Sequence, residues 1–226
     1  MNAIMGMSSG GLALPRFDVL VAAPDLAPWR EGNTGIQGFT TRDSGEAGPH
    51  LVLTALIHGN ELAGAIALDR LLAAGLAPLR GRITFGFANL AAFARFDPED
   101  PVASRYVEED MNRVWDPVTL GGTRRSVELD RAREMWPLLQ TADVLFDLHS
   151  MLWPSDPLIL CGAAERGRAM ALGIGVPELV IADAGHGNGR RLIDHPIFTG
   201  ADGASVANLV EAGQHWLPET VETTLT

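Results

Sequence analysis

Short apolar runs alternate with longer amphipathic segments along most of the chain. Residues 51–57 are almost entirely apolar, which is typical of a central strand covered on both faces. Residues 62–74 then repeat apolar side chains at helical spacing up to Gly75, and 82–88 forms another apolar run. A strand, a helix and a strand within about 40 residues predict a βαβ unit, and therefore a largely parallel sheet.

The same alternation continues through the second half of the chain. Ser126 can cap a helix whose apolar stripe leads to a second strand at 144–150. The long polar segments 95–125 and 184–204 are predicted to be loops, and loops of this length are usually functional. Residues 214–226 show no clear pattern. The remaining predicted elements are an edge strand at 17–24, a short strand near 36–40, strands at 157–161, 179–183 and 205–211, and a helix near 164–173.

Length and these elements together suggest the domain organisation. A chain of 226 residues suits one α/β domain with a large buried core. We expect residues 1–16 to be a flexible lead-in, 17–216 to form the main domain and 217–226 to be a tail.

Composition excludes several classes of function. All 17 basic residues are arginine, so Schiff-base chemistry and the lysine of a phosphate-binding P-loop are excluded. The formal net charge of −11 argues against binding to nucleic acid or to anionic membrane surfaces. Cys161 is the single cysteine, which excludes a thiolate zinc site and favours an inert core thiol. No transmembrane run or signal peptide is recognised, so we expect a cytoplasmic protein.

Three predicted strands end in a residue that can bind a metal or move a proton. These residues are His58, His149 and Glu211, and Glu61 follows three positions after His58. The carboxyl ends of strands in open α/β sheets meet at one edge, so these side chains can converge. Two histidines and a glutamate, with a fourth position left for water, are typical of hydrolytic zinc. The residues alone leave open the alternative that each histidine is an ordinary core or loop residue.

Four short segments of the sequence resemble the motifs of a known protein family. They resemble the signature of the succinylglutamate desuccinylase/aspartoacylase family, relatives of carboxypeptidase A, and the match extends over about 50–216. The resemblance implies a three-layer α/β sandwich with a mixed, largely parallel central sheet, as in zinc carboxypeptidases. The segments are, in chain order, His58-Gly59-Asn60-Glu61, Asp110-Met111-Asn112-Arg113, Asp147-Leu148-His149-Ser150 and Val210-Glu211-Ala212-Gly213.

The resemblance also implies a role for each matching residue. His58, Glu61 and His149 would bind one zinc ion, whose bound water is the nucleophile. Glu211 would be the general base that takes a proton from this water and returns it to the leaving amine. Arg105 would polarise the scissile carbonyl.

Further residues would complete the site. Asn112 and Arg113 would hold a substrate carboxylate, for which the planar guanidinium is well suited. Asp147 lies two residues before His149 and can orient its imidazole, although a solvated or capping aspartate is an equal alternative. His186, His195 and His215 have no assigned role.

The function implied is that of a zinc-dependent hydrolase that cleaves the amide bond of an N-acyl amino acid or a similar small amide. A carboxypeptidase-like metallopeptidase acting on short peptides is one alternative, since it uses the same chemistry. A metal- or ligand-binding domain without catalysis is another. The expected partner is a small molecule, and a homo-oligomer is compatible with the sequence.

The sequence departs from the family pattern in two places. We expect the β-rich C-terminal domain that roofs the site in family members to be absent from this chain. Enzymes selective for acetylaspartate carry a further arginine upstream of the catalytic glutamate, but residues 198–203 contain none. Acetylaspartate is therefore not the expected substrate unless Arg190 or Arg191 reaches the site.

Overall fold

A seven-stranded mixed sheet forms the centre of the computed structural model, which describes residues 17–226. The lead-in expected at residues 1–16 lies outside the described residues. The strands are β1 (Phe39–Asp43), β2 (His50–Ala55), β3 (Arg82–Phe87), β4 (Val144–Met151), β5 (Leu158–Leu160), β6 (Leu179–Ile181) and β7 (Val206–Gln214). Their order across the sheet is β1-β3-β2-β4-β7-β5-β6.

The middle of the sheet is parallel and its two sides are antiparallel to it. Strands β3, β2, β4 and β7 run in the same direction. Strand β1 pairs antiparallel with β3, and β5 pairs antiparallel with β7. The predicted mixed, largely parallel sheet is therefore confirmed. The carboxyl ends of β2, β4 and β7 lie side by side at one edge, where α/β proteins build their sites.

Helices cover both faces of the sheet, which gives the predicted three layers. On one face, Leu68 and Leu72 pack with Phe85, and on the other, Leu129 packs with Val52. None of the described helices is long and apolar enough to cross a membrane. The helices are α1 (Leu62–Ala73), α2 (Leu90–Phe93), α3 (Pro117–Gly121), α4 (Val127–Leu139), α5 (Glu165–Ile174), α6 (Pro196–Thr199) and α7 (Pro218–Leu225).

The N-terminal end of the described chain corrects one prediction. Residues 17–24 do not form the predicted edge strand; this segment is irregular. The ring of Phe17 packs edge-on against Trp153, with centroids 5.4 Å apart, and Leu20 N–H donates to Trp216 O at 3.0 Å. Aromatic packing and a single backbone hydrogen bond therefore hold this segment in place of a strand ladder. The edge position is taken by β1, a few residues beyond the short strand expected near 36–40.

The C-terminal end of the chain is also more ordered than the sequence pattern indicates. Residues 217–226, expected to be a tail without a pattern, contain α7, which packs against α1. Val221 is buried, and Arg70 donates to Glu222 across the two helices at 2.8 Å. The helix is amphipathic and buries Thr220 and Val221, although its threonines have a low intrinsic helix propensity.

One buried histidine should make stability depend on pH. His195 is 8% exposed, stacks on Trp136 with ring centroids 3.9 Å apart, and accepts the N–H of Ile197 at 3.2 Å. Burial, followed by the positive charge of Arg190, lowers the pKa of His195 to about 4. The folded state therefore keeps this imidazole neutral, while the unfolded chain protonates it near pH 6.5.

We expect His195 to leave the free energy of unfolding unchanged above pH 6.5. Between pH 6.5 and 4 this free energy should fall, because the unfolded chain takes up a proton that the buried imidazole does not. The loss should reach about 3 kcal/mol, because each unit of pKa shift corresponds to about 1.4 kcal/mol. Urea unfolding at several pH values should show this slope in the parent protein and a weaker one in His195→Asn, whose side chain accepts a hydrogen bond without titrating. Equal slopes in both proteins would contradict the prediction.

Candidate metal centre

Three of the predicted side chains meet at the carboxyl edge of the sheet. His58 follows β2, Glu61 stands immediately before α1, and His149 lies near the end of β4. All three are buried, and each offers a ligand atom within 4.8 Å of the others. The structure thus brings together, within the described residues, a set that could hold one metal ion.

Tight backbone packing explains how the chain presents His58. A Cβ atom on Gly59 would lie 2.5 Å from backbone atoms of Phe93 and Ser104, so a larger residue does not fit there. Gly59 N–H donates to Arg105 O at 3.0 Å. Leu56, at the end of β2, has a φ of 61°, a left-handed conformation that costs a leucine roughly 1–2 kcal/mol. The buried packing around Leu56 sustains this strain and turns the chain out of the strand just before His58.

Each of the two imidazoles lies between two carboxylates. Nε2 of His58 is 2.9 Å from Asp110 Oδ1, and Nε2 of His149 is 2.8 Å from Asp147 Oδ2. Their Nδ1 atoms lie 2.7 and 2.9 Å from the two oxygens of Glu61. A neutral imidazole has a single N–H, so a proton on Nε2 leaves the Nδ1 lone pair facing a carboxylate oxygen. A cation between these atoms removes the repulsion, and the donor set fits zinc.

The charges of these groups depend strongly on one another. Burial alone would raise the pKa of Glu61, but the positive charges of His58 and His149 hold it well below its ordinary value. Burial opposes the charged form of His149, yet Asp147 and Glu61 raise its pKa well above the ordinary value. In the protein alone, the carboxylates therefore favour positive charge at the position where a metal ion would be bound.

Glu211 stands beside these ligands on the neighbouring strand. It is directly opposite His149 in the register of β4 and β7. Its Oε2 atom is buried and has no hydrogen-bond partner among the described residues. Burial, followed by the negative charge of Glu61, raises the pKa of Glu211 to about 8. This carboxyl group is thus placed and tuned as a group that can exchange a proton near neutral pH.

Arg105 supplies positive charge at the same place. Its Nη1 atom is 3.3 Å from Glu61 Oε1, and its Nη2 atom is 2.9 Å from His58 Nε2 and 3.2 Å from Asp110 Oδ2. About a third of the side chain, 34%, remains exposed. The guanidinium therefore borders the candidate metal site and can also be reached by a ligand.

Asn112 and Arg113 lie next to this group in a short 3-10 helix. Asn112 Oδ1 accepts the N–H of Leu192 at 3.0 Å, which ties the segment to the loop before β7. Arg113 Nη1 donates to Asn112 O at 2.7 Å, but the buried Nε of Arg113 has no partner among the described residues. Asp110 approaches the guanidinium no closer than 3.9 Å. Arg113 therefore keeps donor capacity for a ligand.

Sequence reasoning missed Glu128, which organises the segment carrying Arg105. This carboxylate is fully buried at the start of α4. It accepts the backbone N–H groups of Val107, Glu108 and Glu109 at 2.6, 3.1 and 3.2 Å, and the side-chain amide of Asn89 at 3.1 Å. In the sequence, Glu128 looks like an ordinary acidic residue in a first helical turn. Only the tertiary structure shows that it binds a loop that is about 20 residues away in the sequence.

Replacing Glu128 by alanine should destabilise the protein by at least about 3 kcal/mol, because several buried N–H groups lose a charged acceptor. Urea unfolding measures this loss. The same change in the exposed Glu134, which pairs with Arg131 on α4, should cost less than about 1 kcal/mol and serves as the control. Similar losses for the two variants would argue against a supporting role for Glu128.

Of the histidines without an assigned role, His215 lies nearest to the metal centre. Its Nδ1 atom is 2.8 Å from Ser150 Oγ, while Ser150 N–H donates to Glu61 Oε2 at 3.1 Å. Burial lowers the pKa of His215 to about 4. His215 is therefore a neutral imidazole that supports the residue next to His149. His195 packs on Trp136, and His186 lies in an exposed loop discussed below.

The sheet topology and the buried His–Glu–His set define an α/β protein of the zinc-carboxypeptidase-like fold with a candidate metal centre. A family model described as the succinylglutamate desuccinylase/aspartoacylase catalytic domain matches residues 47–170. The chain belongs to this family; the first three of the four motifs lie within the matched residues, and 210–213 lies beyond them.

Curated relatives have related sequences, and solved structures share the fold. A succinylglutamate desuccinylase from Pseudomonas aeruginosa is 33% identical over 130 residues, which are 54% of this chain and 36% of that protein. The chain thus matches only about a third of the length of the curated relatives.

The crystal structure of a succinylglutamate desuccinylase from Chromobacterium violaceum has a TM-score of 0.65 at 20% identity and covers 83% of this chain and 61% of that one. The product-bound ectoine utilization protein EutE from Ruegeria pomeroyi has a TM-score of 0.62 at 20% identity and covers 83% and 57%.

Proposed function

We propose that this protein is a zinc-dependent hydrolase that cleaves the amide bond of an N-acyl amino acid or a similar small amide. The observation that carries the proposal is the buried set of His58, Glu61 and His149 with Glu211 on the adjacent strand. Membership in the desuccinylase/aspartoacylase family supports it. We further propose that residues 17–216 form the catalytic domain, with α7 packed onto it.

His58, Glu61 and His149 would hold the zinc ion. Bound zinc lowers the pKa of water from 15.7 to about 7 and polarises a carbonyl group. Asp147 would accept the Nε2 proton of His149, which fixes its Nδ1 lone pair on the side of Glu61, and Asp110 lies 2.9 Å from Nε2 of His58. These two aspartates thus orient the ligands and raise their basicity.

Glu211 would move the proton that amide hydrolysis requires. As a carboxylate it takes a proton from the attacking water, and as a carboxylic acid it donates this proton to the leaving nitrogen. An amine is a poor leaving group until it is protonated, so the same residue serves both steps. Its Oε2 atom is buried beside His149 and has no hydrogen-bond partner among the described residues, so it is available for this proton.

Arg105 would stabilise the oxygen of the scissile carbonyl as negative charge develops there. Its guanidinium already lies at hydrogen-bond distance from the groups around Glu61 and keeps an exposed edge. A fixed charge of this kind typically contributes ~3–4 kcal/mol to the transition state. Arg113, with its unpartnered Nε, would bind the carboxylate of the amino acid, and the amide of Asn112 would line the same pocket.

Metal analysis combined with turnover measurements tests the proposal. Metal-replete protein should contain about one zinc ion per chain and should hydrolyse N-acyl amino acids faster than dipeptides of similar size. Faster cleavage of dipeptides would favour a carboxypeptidase-like peptidase. Stoichiometric zinc without turnover of either class would favour a non-catalytic binding domain, and protein that takes up no zinc would contradict the central claim.

A further inference from the structure

The arginines around Arg113 determine how many negative charges a ligand can bring to this site. Burial lowers the pKa of Arg113. The negative charges of Asp110 and Asp194 raise this pKa, and the positive charges of Arg105 and Arg191 lower it. Whether a second carboxylate of a ligand finds a partner therefore depends on whether the neighbouring arginines are already neutralised.

Arg191 is buried between two carboxylates. It is 2% exposed, and its guanidinium donates to both oxygens of Asp183 and to both oxygens of Asp194. The bonds from Nε and Nη2 to Asp194 measure 2.7 and 3.0 Å. Two carboxylates around one guanidinium give the group a net negative charge, and burial keeps the guanidinium away from a ligand. Arg191 therefore holds the loop 182–191 in place and does not present its charge to the site.

Arg190 is also engaged with the protein. Its Nε donates to Asp116 Oδ2 at 2.8 Å, and its Nη1 donates to Asp194 O at 3.2 Å. Its backbone forms a bridge with Val114, and its carbonyl accepts the N–H of Trp115 at 3.3 Å. These bonds fasten the loop beside Arg113 and direct the Arg190 side chain towards α3.

The tip of the same loop carries the imidazole of His186 and no positively charged side chain. His186 is exposed and forms a backbone bridge with Gly189. Gly189 packs so closely on Arg113 that an added Cβ would lie 2.3 Å from the Arg113 carbonyl oxygen. Partial burial, followed by the positive charges of Arg113 and Arg191, lowers the pKa of His186 below its ordinary value. This side of the site therefore offers a neutral ring at neutral pH.

The anions at the site are numerous by comparison. Glu61 and Asp110 lie on the metal side, and under the loop the two carboxylates of Asp183 and Asp194 outnumber the single cation Arg191. Among the described residues, Arg105 keeps an exposed edge but is proposed to serve the scissile carbonyl, so a second ligand carboxylate meets these carboxylates without an arginine left to pair with it. Such juxtaposition costs several kcal/mol, or more than ~100-fold in affinity when it is not relieved.

We propose that the site selects N-acyl amino acids that carry a single carboxylate, bound by Arg113, and discriminates against acyl groups or side chains that carry a second one. This inference rests on the proposed function for the identity of the ligand as an N-acyl amino acid. N-acyl derivatives of neutral amino acids with an uncharged acyl group are the substrate class that the charge arrangement favours.

Matched pairs of ligands test the inference. N-acetyl-L-glutamine and N-acetyl-L-glutamate differ by one side-chain charge, and N-succinamoyl-L-glutamine and N-succinyl-L-glutamine differ by one acyl charge. In each pair, kcat/KM of the zinc-loaded protein should be at least about tenfold higher for the neutral member. Calorimetric titration of Glu211→Gln with the same ligands gives the dissociation constants without turnover, and the neutral member should bind at least about tenfold more tightly.

A variant that adds a positive charge beside Arg113 should weaken the preference for the neutral ligands. His186→Arg places a guanidinium at the exposed loop tip beside Arg113, and it should raise binding of the doubly charged member of each pair by about tenfold relative to the neutral one. Leu79→Arg adds the same charge at a position that is 97% exposed in the connection between α1 and β3, and it should leave the ratio unchanged.

The outcomes separate this inference from the proposed function. Equal or tighter binding of the doubly charged ligands overturns the inference even if hydrolysis is observed. Absence of binding for every ligand also overturns it, since Arg113 would then bind no carboxylate. Selective binding of the neutral members without hydrolysis upholds the inference and contradicts the proposed function.

Discussion

Replacing Glu211 by glutamine is expected to lower kcat for amide hydrolysis by about 10³-fold. Glutamine has nearly the same shape but cannot exchange a proton, and positioned acid–base groups typically contribute 10²–10⁴-fold, that is, ~3–5 kcal/mol. KM should change little, since Arg113 and not Glu211 is proposed to bind the carboxylate. Steady-state kinetics on the best substrate of the N-acyl amino acid panel measure both quantities.

Two controls make the Glu211 result interpretable. The zinc content of Glu211→Gln should equal that of the parent protein, because Glu211 is not among the three proposed ligands. Glu134→Gln changes an exposed glutamate that pairs with Arg131 on α4, and it should keep kcat within about threefold. A Glu211→Gln protein that retains zinc and full activity would rule out this residue as the proton carrier.

Replacing Glu61 by glutamine should abolish zinc binding. The two oxygens of Glu61 lie 2.7 and 2.9 Å from the Nδ1 atoms of His58 and His149, so this one residue joins both imidazoles. A neutral amide leaves the metal ion with two nitrogen ligands and no anionic one, whereas zinc sites in proteins use three or four protein ligands. We expect less than about a tenth of the zinc content of the parent protein, measured by elemental analysis after dialysis.

Thermal unfolding gives an independent measurement of the Glu61 effect. A ligand present at ~100 times its Kd stabilises the folded state by about 2.7 kcal/mol, so zinc should raise the Tm of the parent protein. It should not raise the Tm of Glu61→Gln. Exposed Glu134→Gln should respond to zinc like the parent protein. Equal zinc-induced shifts in all three proteins would show that the metal binds elsewhere.

The sequence predicts the parts of the fold and site that lie on regular elements. The apolar runs before His58 and His149 are long and continuous because their strands are covered on both faces, and such runs are recognisable in a single sequence. A histidine directly after a buried strand then marks the carboxyl edge of the sheet. The same reasoning reaches Glu211 on β7. These residues were predicted from strand ends and motifs, and the structure brings them to one edge.

The parts that were not predicted depend on contacts between distant segments. Glu128 accepts hydrogen bonds from a loop about 20 residues away in the chain, and no local pattern encodes such a contact. The neutralisation of Arg191 by Asp183 and Asp194 depends likewise on how a long loop folds back on itself. Helix α7 is short and threonine-rich, so its burial against α1 decides its conformation more than its intrinsic propensity does.

The register of β4 and β7 has a consequence for the dynamics of the site. His149 and Glu211 are paired on two neighbouring interior strands of the sheet, just before a register shift, and the amides of these strands should exchange with solvent only in large unfolding events. Apart from its side-chain bonds, the loop 182–191 is joined to the segment after Arg113 by one isolated backbone bridge, so the amides of this loop should exchange through local opening. Under mild denaturation the metal ligands should therefore remain assembled after the carboxylate pocket has opened, and zinc would be retained by a protein that has already lost its choice of substrate.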